Sequence, residues 1–172
     1  MLFSCENDLG TIKEVTQTED MADEIVNDMH TLYSDSGVVV YEMIATRMEK
    51  FGEPKNVTIF KHGFEVNFFK EKDSIVSKLT ADYAEVKEKE NVIIARNNVI
   101  FTNYDKNQTL KTEELFWDQT AKRVRTEKYF EVIGEKTTVK GYGLDTDETF
   151  TDYNMHKVSV ESQNINNNDS IQ

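Results

Sequence analysis

The sequence predicts an all-β domain built by stacking strand pairs, and three observations predict it. The first is a recurrence. Leu79-Thr-Ala-Asp-Tyr-Ala-Glu, Leu110-Lys-Thr-Glu-Glu-Leu-Phe and Val139-Lys-Gly-Tyr-Gly-Leu-Asp align at intervals of 31 and 29 residues, and a weaker copy, Ile44-Ala-Thr-Arg-Met-Glu-Lys, begins 35 residues before the first. Each of the three is followed by a turn-forming stretch and a second extended run, over 92–102, 123–133 and 150–161. Units of this length signal an architecture whose repeats cannot bury their own apolar face alone. The second observation is alternation: in Phe64-Glu-Val66-Asn-Phe68 apolar and polar residues take turns, as in a half-buried strand. The third is that Tyr104-Asp-Lys-Asn-Gln, Asp118-Gln-Thr and Gly134-Glu-Lys are short polar connections, which make neighbouring strands antiparallel. A β-sandwich with evenly spaced hairpins fits the same spacing.

Taken in order, residues 20–27 place Met21, Ile25 and Met29 at helical spacing and read as a linker or a single helical turn. From Met29 the chain reads as a hairpin, with β-prone runs His30-Thr-Leu-Tyr and Val38-Val-Val-Tyr around the turn cluster Ser34-Asp-Ser-Gly. Ile44, Met48 and Phe51 recur at helical intervals, but alignment with the repeats favours a strand, closed at Gly52-Glu-Pro54 because proline is excluded from central strands. Ile75, Leu79 and Ala81 then share a face opposite Lys78 and Asp82. Ile93, Ala95, Val99 and Phe101 oppose Arg96 and Asn98, and Val124, Phe130 and Val132 oppose Arg123, Arg125 and Glu131. The domain boundaries expected are an anchor or linker over 1–28, the β domain over 29–161 and a polar tail over 162–172.

The formal charge of −12, with 20 Lys and Arg against 32 Asp and Glu, leaves no basic stripe and argues against nucleic acid or an anionic membrane surface as the main partner. No apolar run reaches the roughly 20 residues of a spanning helix. The only cysteine, Cys5, follows Met1-Leu2-Phe3-Ser4 and is similar in context to the end of a bacterial lipoprotein signal. A full signal also carries a positive start and an apolar stretch of roughly 7–15 residues, so the alternatives are a start truncated upstream or an ordinary free thiol.

Catalytic patterns are thin. His30, His62 and His156 are isolated from one another and lack zinc-ligand spacing. The acidic run from Asp145 to Asp152 lacks the glycine and closing glutamate of a calcium loop. No nucleophile and base occur together, so neither metal nor cofactor nor enzymatic activity is expected.

Tyr33-Ser-Asp-Ser-Gly-Val, Leu79-Thr-Ala-Asp-Tyr-Ala, Asn98-Val-Ile, Leu110-Lys-Thr-Glu-Glu-Leu-Phe-Trp-Asp and Lys140-Gly-Tyr-Gly-Leu-Asp together resemble the periplasmic lipopolysaccharide-export protein of the LptC type, within the OstA/LptA-like superfamily. The run from Leu110 to Asp118 followed by Gly141-x-Gly143 is its most specific part. The resemblance implies an open, twisted β-jellyroll of two antiparallel sheets forming a V-shaped trough. It implies a periplasmic protein tethered to the inner membrane, taking lipopolysaccharide from the LptB/F/G-type ABC exporter complex to the LptA-type bridge protein. Many members carry an N-terminal membrane helix; none is read here, which moves the anchor to Cys5.

With this reading, the alternating faces assign the trough wall to Phe64, Val66, Phe68, Leu79, Ile93, Val99, Phe101, Val124, Phe130, Val132 and Val139, which would otherwise fill a closed dry core. The last run, represented by Asp152, Asn154, His156, Val158 and Val160, is assigned as an edge strand for the bridge protein, and the run from His30 to Tyr41 as the edge for the membrane complex. The alternatives are a soluble LptA-like bridge or a β-sandwich adhesin or carbohydrate binder. Trp117, Tyr129 and Tyr142 clustered on an outer face would favour the sugar binder, and an apolar channel the lipid carrier.

Overall fold

The computed structural model describes residues 21–70, 74–147 and 152–162. Ten strands follow one another: β1 Glu24–Asp35, β2 Val38–Phe51, β3 Val57–Lys70, β4 Ser74–Lys87, β5 Val92–Asn103, β6 Gln108–Asp118, β7 Arg123–Ile133, β8 Thr137–Asp147, β9 Tyr153–Met155 and β10 Ser159–Ser162. From β1 to β8 each strand pairs antiparallel with the next, and the far side of β8 is shared by β9 and β10. Among the described residues nothing pairs β1 with β10, so the sheet stays open. The hairpins are tight because their turn residues tolerate left-handed backbone: Ser36 and Gly37 have φ of 51 and 82°, and Asn56, Asn91 and Asn107 have φ of 45, 57 and 49°.

The open sheet becomes a trough because it is folded along one line. Midway along β2 to β8 the ladder breaks, and even-numbered strands spend one residue there (Thr46, Asp82, Glu113, Gly143) where odd-numbered strands spend two (His62-Gly63, Asn97-Asn98, Glu127-Lys128). Two residues opposing one is a β-bulge, which bends its strand. A row of bulges bends the whole sheet. His62, Asn97 and Asn98 take φ of 64, 63 and 52°, and Gly63 and Gly143 take 113 and 76°; asparagine and glycine are the residues that accept such angles. Buried hydroxyls satisfy the backbone at the bend. Thr112 Oγ1 donates to the Tyr129 carbonyl at 2.9 Å, and the Lys128 N–H donates to Thr126 Oγ1 at 3.1 Å. We call the half ending in the turns after β2, β4 and β6 leaf A, and the half ending in the turns after β1, β3, β5 and β7 leaf B.

The spacing of the inward residues follows from this crease. In β2, β4, β6 and β8 the inward positions flanking it are three apart (Ala45 and Met48, Ala81 and Ala84, Thr112 and Leu115, Gly141 and Leu144), whereas in β3, β5 and β7 they are four apart (Phe60 and Phe64, Ala95 and Val99, Thr126 and Phe130).

The structure corrects several local readings. Residues 24–27 are neither linker nor helix but the start of β1, paired with residues 47–50, so the sheet begins five residues before the expected boundary at 29. Left-handed backbone at Asp28 (φ 51°) puts Val26 and Met29, three apart, on the inner face, whereas Met21 and Ile25, which the helical spacing joined to Met29, are exposed. The run from His30 to Tyr41 is a hairpin rather than one edge strand; only β1 is the edge. Within the expected strand over 150–161 the described residues form two short strands: His156 still exchanges backbone hydrogen bonds with Gly143 and Tyr142 of β8, and the ladder breaks at 157–158 as the chain passes the crease. Ser162 belongs to β10 rather than to the tail. Cys5 and tail residues 163–172 lie outside the described residues.

Candidate functional site

The inner face consists of side-chain rows that cross the sheet from margin to margin. On leaf B one row runs through directly opposed residues of every strand but β9: Thr31, Met43, Val66, Leu79, Phe101, Leu110, Val132, Val139 and Val160. On leaf A a second row runs Val26, Met48, Phe60, Ala84, Ala95 and Leu115, then through the buried Thr126 to Leu144 and Met155. Apart from Val26, Thr31 and Val160 at their ends and Thr126, these rows pack into one cluster. Phe60 and Phe64, on either side of the crease, bring their ring centroids to 4.9 Å.

All eleven predicted wall residues face this interior. Phe64, Val66, Leu79, Ile93, Val99, Phe101, Val124, Phe130 and Val132 are buried, and Phe68 and Val139 are half-buried against the same cluster. Sequence reasoning omitted Phe60, Leu110, Leu115, Trp117 and Leu144, all buried in it. The repeat alignment, which equates Leu79, Leu110 and Val139, already carried Leu110. Among the described residues the interior is filled rather than an open channel: Phe130 and Val66 are 0% exposed.

Away from the crease the two leaves meet. Trp117, on leaf A, lies edge-on to Phe68 at 5.2 Å and to Tyr41 at 6.3 Å, both on leaf B. The side chain of Gln119 hydrogen-bonds the Tyr41 hydroxyl, while burial and then the neighbouring Tyr33 push the Tyr41 phenol above its ordinary range. Tyr33 stacks on Tyr41 at 4.7 Å. Outside this contact is a cavity of about 470 Å³ lined by Tyr33, Val40, Tyr41, Phe68, Asn91, Trp117, Gln119 and Lys122. Trp117 is therefore not an outer-face aromatic, being 6% exposed. Tyr129 and Tyr142 are exposed and form a cross-strand pair at 5.4 Å.

The outer face is charged and largely self-paired. Arg96 lies between Glu85 and Glu114 at 3.3 and 2.8 Å, and Glu49 accepts from Lys61 and Arg47 at 2.6 and 2.7 Å. Hydrogen bonds from Lys61 and then Arg47 hold the Glu49 carboxyl below its usual range. Such pairing leaves little uncompensated positive charge for an anionic headgroup. No group of side chains suited to a metal ion occurs among the described residues.

At the margins the predicted edge residues Asp152, Asn154, His156, Val158 and Val160 are all exposed. Gly141 and Gly143 let this edge approach β8: a Cβ at Gly141 would stand 3.1 Å from the carbonyls of His156 and Lys157, and one at Gly143 would stand 3.0 Å from the His156 ring. A family model described as lipopolysaccharide-assembly, LptC-related, matches residues 2–155. No curated protein matches the chain.

Proposed function

Because the chain belongs to the LptC-related lipopolysaccharide-assembly family, we propose that it carries lipopolysaccharide by its acyl chains along the inner face of the folded sheet, receiving it from an inner-membrane ABC exporter of the LptB/F/G type and passing it to an LptA-type bridge protein. The family works in lipopolysaccharide transport and assembly, in the periplasm at the inner membrane, and is not a family of enzymes. The observation that carries the finer reading is the unbroken row from Met43 to Val160, which offers one continuous apolar track across β2 to β8 and on to β10.

Energetics support the assignment. A buried CH₂ group contributes ~0.8 kcal/mol, so a chain of about 12 carbons gains on the order of 10 kcal/mol without any basic headgroup site. Since the wall residues are packed on one another, the leaves separate to admit the chains, and the crease is the line about which they turn. At the margins, unpaired backbone groups template a further strand. The C-terminal edge adds the bridge protein, and β1 adds the exporter complex. Acylated Cys5 supplies the membrane tether, and Cys5→Ala in a protein made with its native upstream sequence releases it from membranes.

The test is photocrosslinking from the inner face. Photoreactive residues at Val66, Phe101 and Val132 are expected to give lipopolysaccharide adducts, and outward positions such as Lys111 none. A folded protein that gives no adduct from any inward position would overturn the reading.

A further inference from the structure

Trp117 is the only tryptophan in the chain, and two rings it touches, Phe68 and Tyr41, stand on the opposite leaf. β6 and β3 are not neighbours in the strand order, so the contact between Trp117 and Phe68 arises only where the leaves close on each other. One side of the indole packs into the core, and the other lines the cavity of about 470 Å³, a size within the roughly 300–1,000 Å³ of small-molecule sites. The lining is amphiphilic. Tyr33, Val40, Tyr41, Phe68 and Trp117 present rings and aliphatic carbon, while Asn91, Gln119 and Lys122 present amides and an ammonium group. Lys122 pairs with no carboxylate among the described residues, whereas Lys61, Lys78, Lys89 and Lys140 are all paired.

We propose that this cavity is a vestibule in which an anionic amphiphile first lays the end of an acyl chain, and that Trp117 is the gate between vestibule and trough. The proposal rests on the acyl-carrier reading above and adds where the chain enters and which side chain yields. An apolar floor beside a single uncompensated cation complements an acyl chain ending in an anionic head. The trough behind the floor is filled, so a chain advances only by displacing what closes it. Trp117 can move into the vestibule without disturbing the backbone ladder of β6, because its neighbours Ile93 and Val124 are held by strand pairing on either side.

The single tryptophan makes the test direct. The folded, full chain is titrated with dibrominated stearate, which quenches indole emission on contact, and with unbrominated stearate as control. In parallel, lipopolysaccharide uptake into the trough is followed by photocrosslinking from position 132. Saturable quenching by the brominated chain alone is expected, with Lys122→Glu raising the half-quenching concentration several-fold. Phe68→Leu, which removes a ring that Trp117 rests against but keeps the fluorophore, is expected to speed formation of the adduct at 132 several-fold, with the fold confirmed by circular dichroism. If adducts form at 132 while Trp117 emission stays unchanged and Phe68→Leu has no effect on their rate, the gate is wrong and the carrier reading stands. Quenching that ignores Lys122→Glu overturns the anionic part of the proposal. Neither quenching nor adducts in a folded protein overturns both.

Discussion

The middle of the inner face and its margins carry the same kind of row but not the same burial. Along the leaf B row, Val66, Leu79, Phe101 and Leu110 are 0 to 5% exposed, whereas Val160 at the end is 64% exposed and Thr31 at the start is also open. An inward residue is covered by a strand on each side and by the facing leaf; at a margin one strand is missing. Among the described residues the middle is thus sealed by neighbouring strands and the facing leaf, and the margins are not. The margins also differ from each other. β1 is one strand of 12 residues, irregular only at Asp28 and between Tyr33 and Ser34, with Ile25, Leu32 and Tyr33 exposed, whereas β9 and β10 have 3 and 4 residues with a break between them. Short, broken strands are the common way to blunt an edge, so β1 is the margin better suited to hold a partner.

The largest effect belongs to the middle. Phe130→Asp removes a fully buried ring, at a cost of about 3–5 kcal/mol, and leaves an unpaired charge in its place. Urea denaturation is expected to show a protein unfolded or nearly so without denaturant. A variant with the parental midpoint would mean that the middle is as wet as the margins, and the contrast would fail.

The next effect tests how the C-terminal margin is held. Gly143→Ala places a Cβ on a residue with φ of 76° and 3.0 Å from the His156 ring. The left-handed backbone alone costs roughly 1–2 kcal/mol. Amide hydrogen exchange is expected to rise over residues 153–162 and stay parental in β3 to β6; uniform acceleration would show that this margin is part of the core.

Smaller in stability but decisive for partners is a lysine at each end of the leaf B row. Thr31→Lys and Val160→Lys both fall on exposed positions, where substitutions stay within about 0.5 kcal/mol. Inward-pointing lysine on an edge blocks strand addition. Pull-down with the exporter complex is expected to drop strongly for Thr31→Lys, and pull-down with the bridge protein to drop less for Val160→Lys. The opposite order would reverse the ranking of the edges.

The smallest expected effect is in the acid limb. Lys61 and Arg47 keep Glu49 ionised below the ordinary carboxylate value of 4.5. The stability this contributes is complete above that value and is lost as pH falls through the lower folded value. Glu49→Gln is expected to flatten the dependence of the urea midpoint on pH in that acid range and to leave association at both margins unchanged. An unaltered acid slope would remove the pair from the account.

The strands were legible in the sequence because alternation survives within each half-strand. Val66 and Phe68, or Val124 and Val132, need only the period of two to be placed inward. The crease was not legible, since it rests on one residue of difference between neighbours: Asp82 facing Asn97-Asn98 gives no local mark beyond polar residues in a strand. The reading of residues 20–27 failed for a different reason: Met21 and Ile25, joined to Met29 at helical spacing, are 68 and 49% exposed, and the paired register of β1 leaves only Met29 of the three on the inner face. The wall residues were readable as a face but not as packed or open, because that depends on how closely leaf A approaches leaf B, which Trp117, Tyr41 and Phe68 decide from distant positions. Gly141-x-Gly143 stood out as a motif, and its reason emerged only with the last edge lying against it.

The crease also works as a reading frame for the growth of such sheets. One residue gained at the bend of β5 would turn the rest of that strand inside out, exchanging its apolar and charged faces, and its unaltered neighbours could not follow. Because β3, β5 and β7 spend two residues there and β2, β4, β6 and β8 one, a single strand added within this run would put two of a kind side by side, as only β1 and β2 are at the margin. Only a whole hairpin preserves the alternation. Lineages derived from this chain are therefore expected to lengthen or shorten the trough in steps of one repeat, while insertions of other sizes collect in the turns at the tips of the leaves.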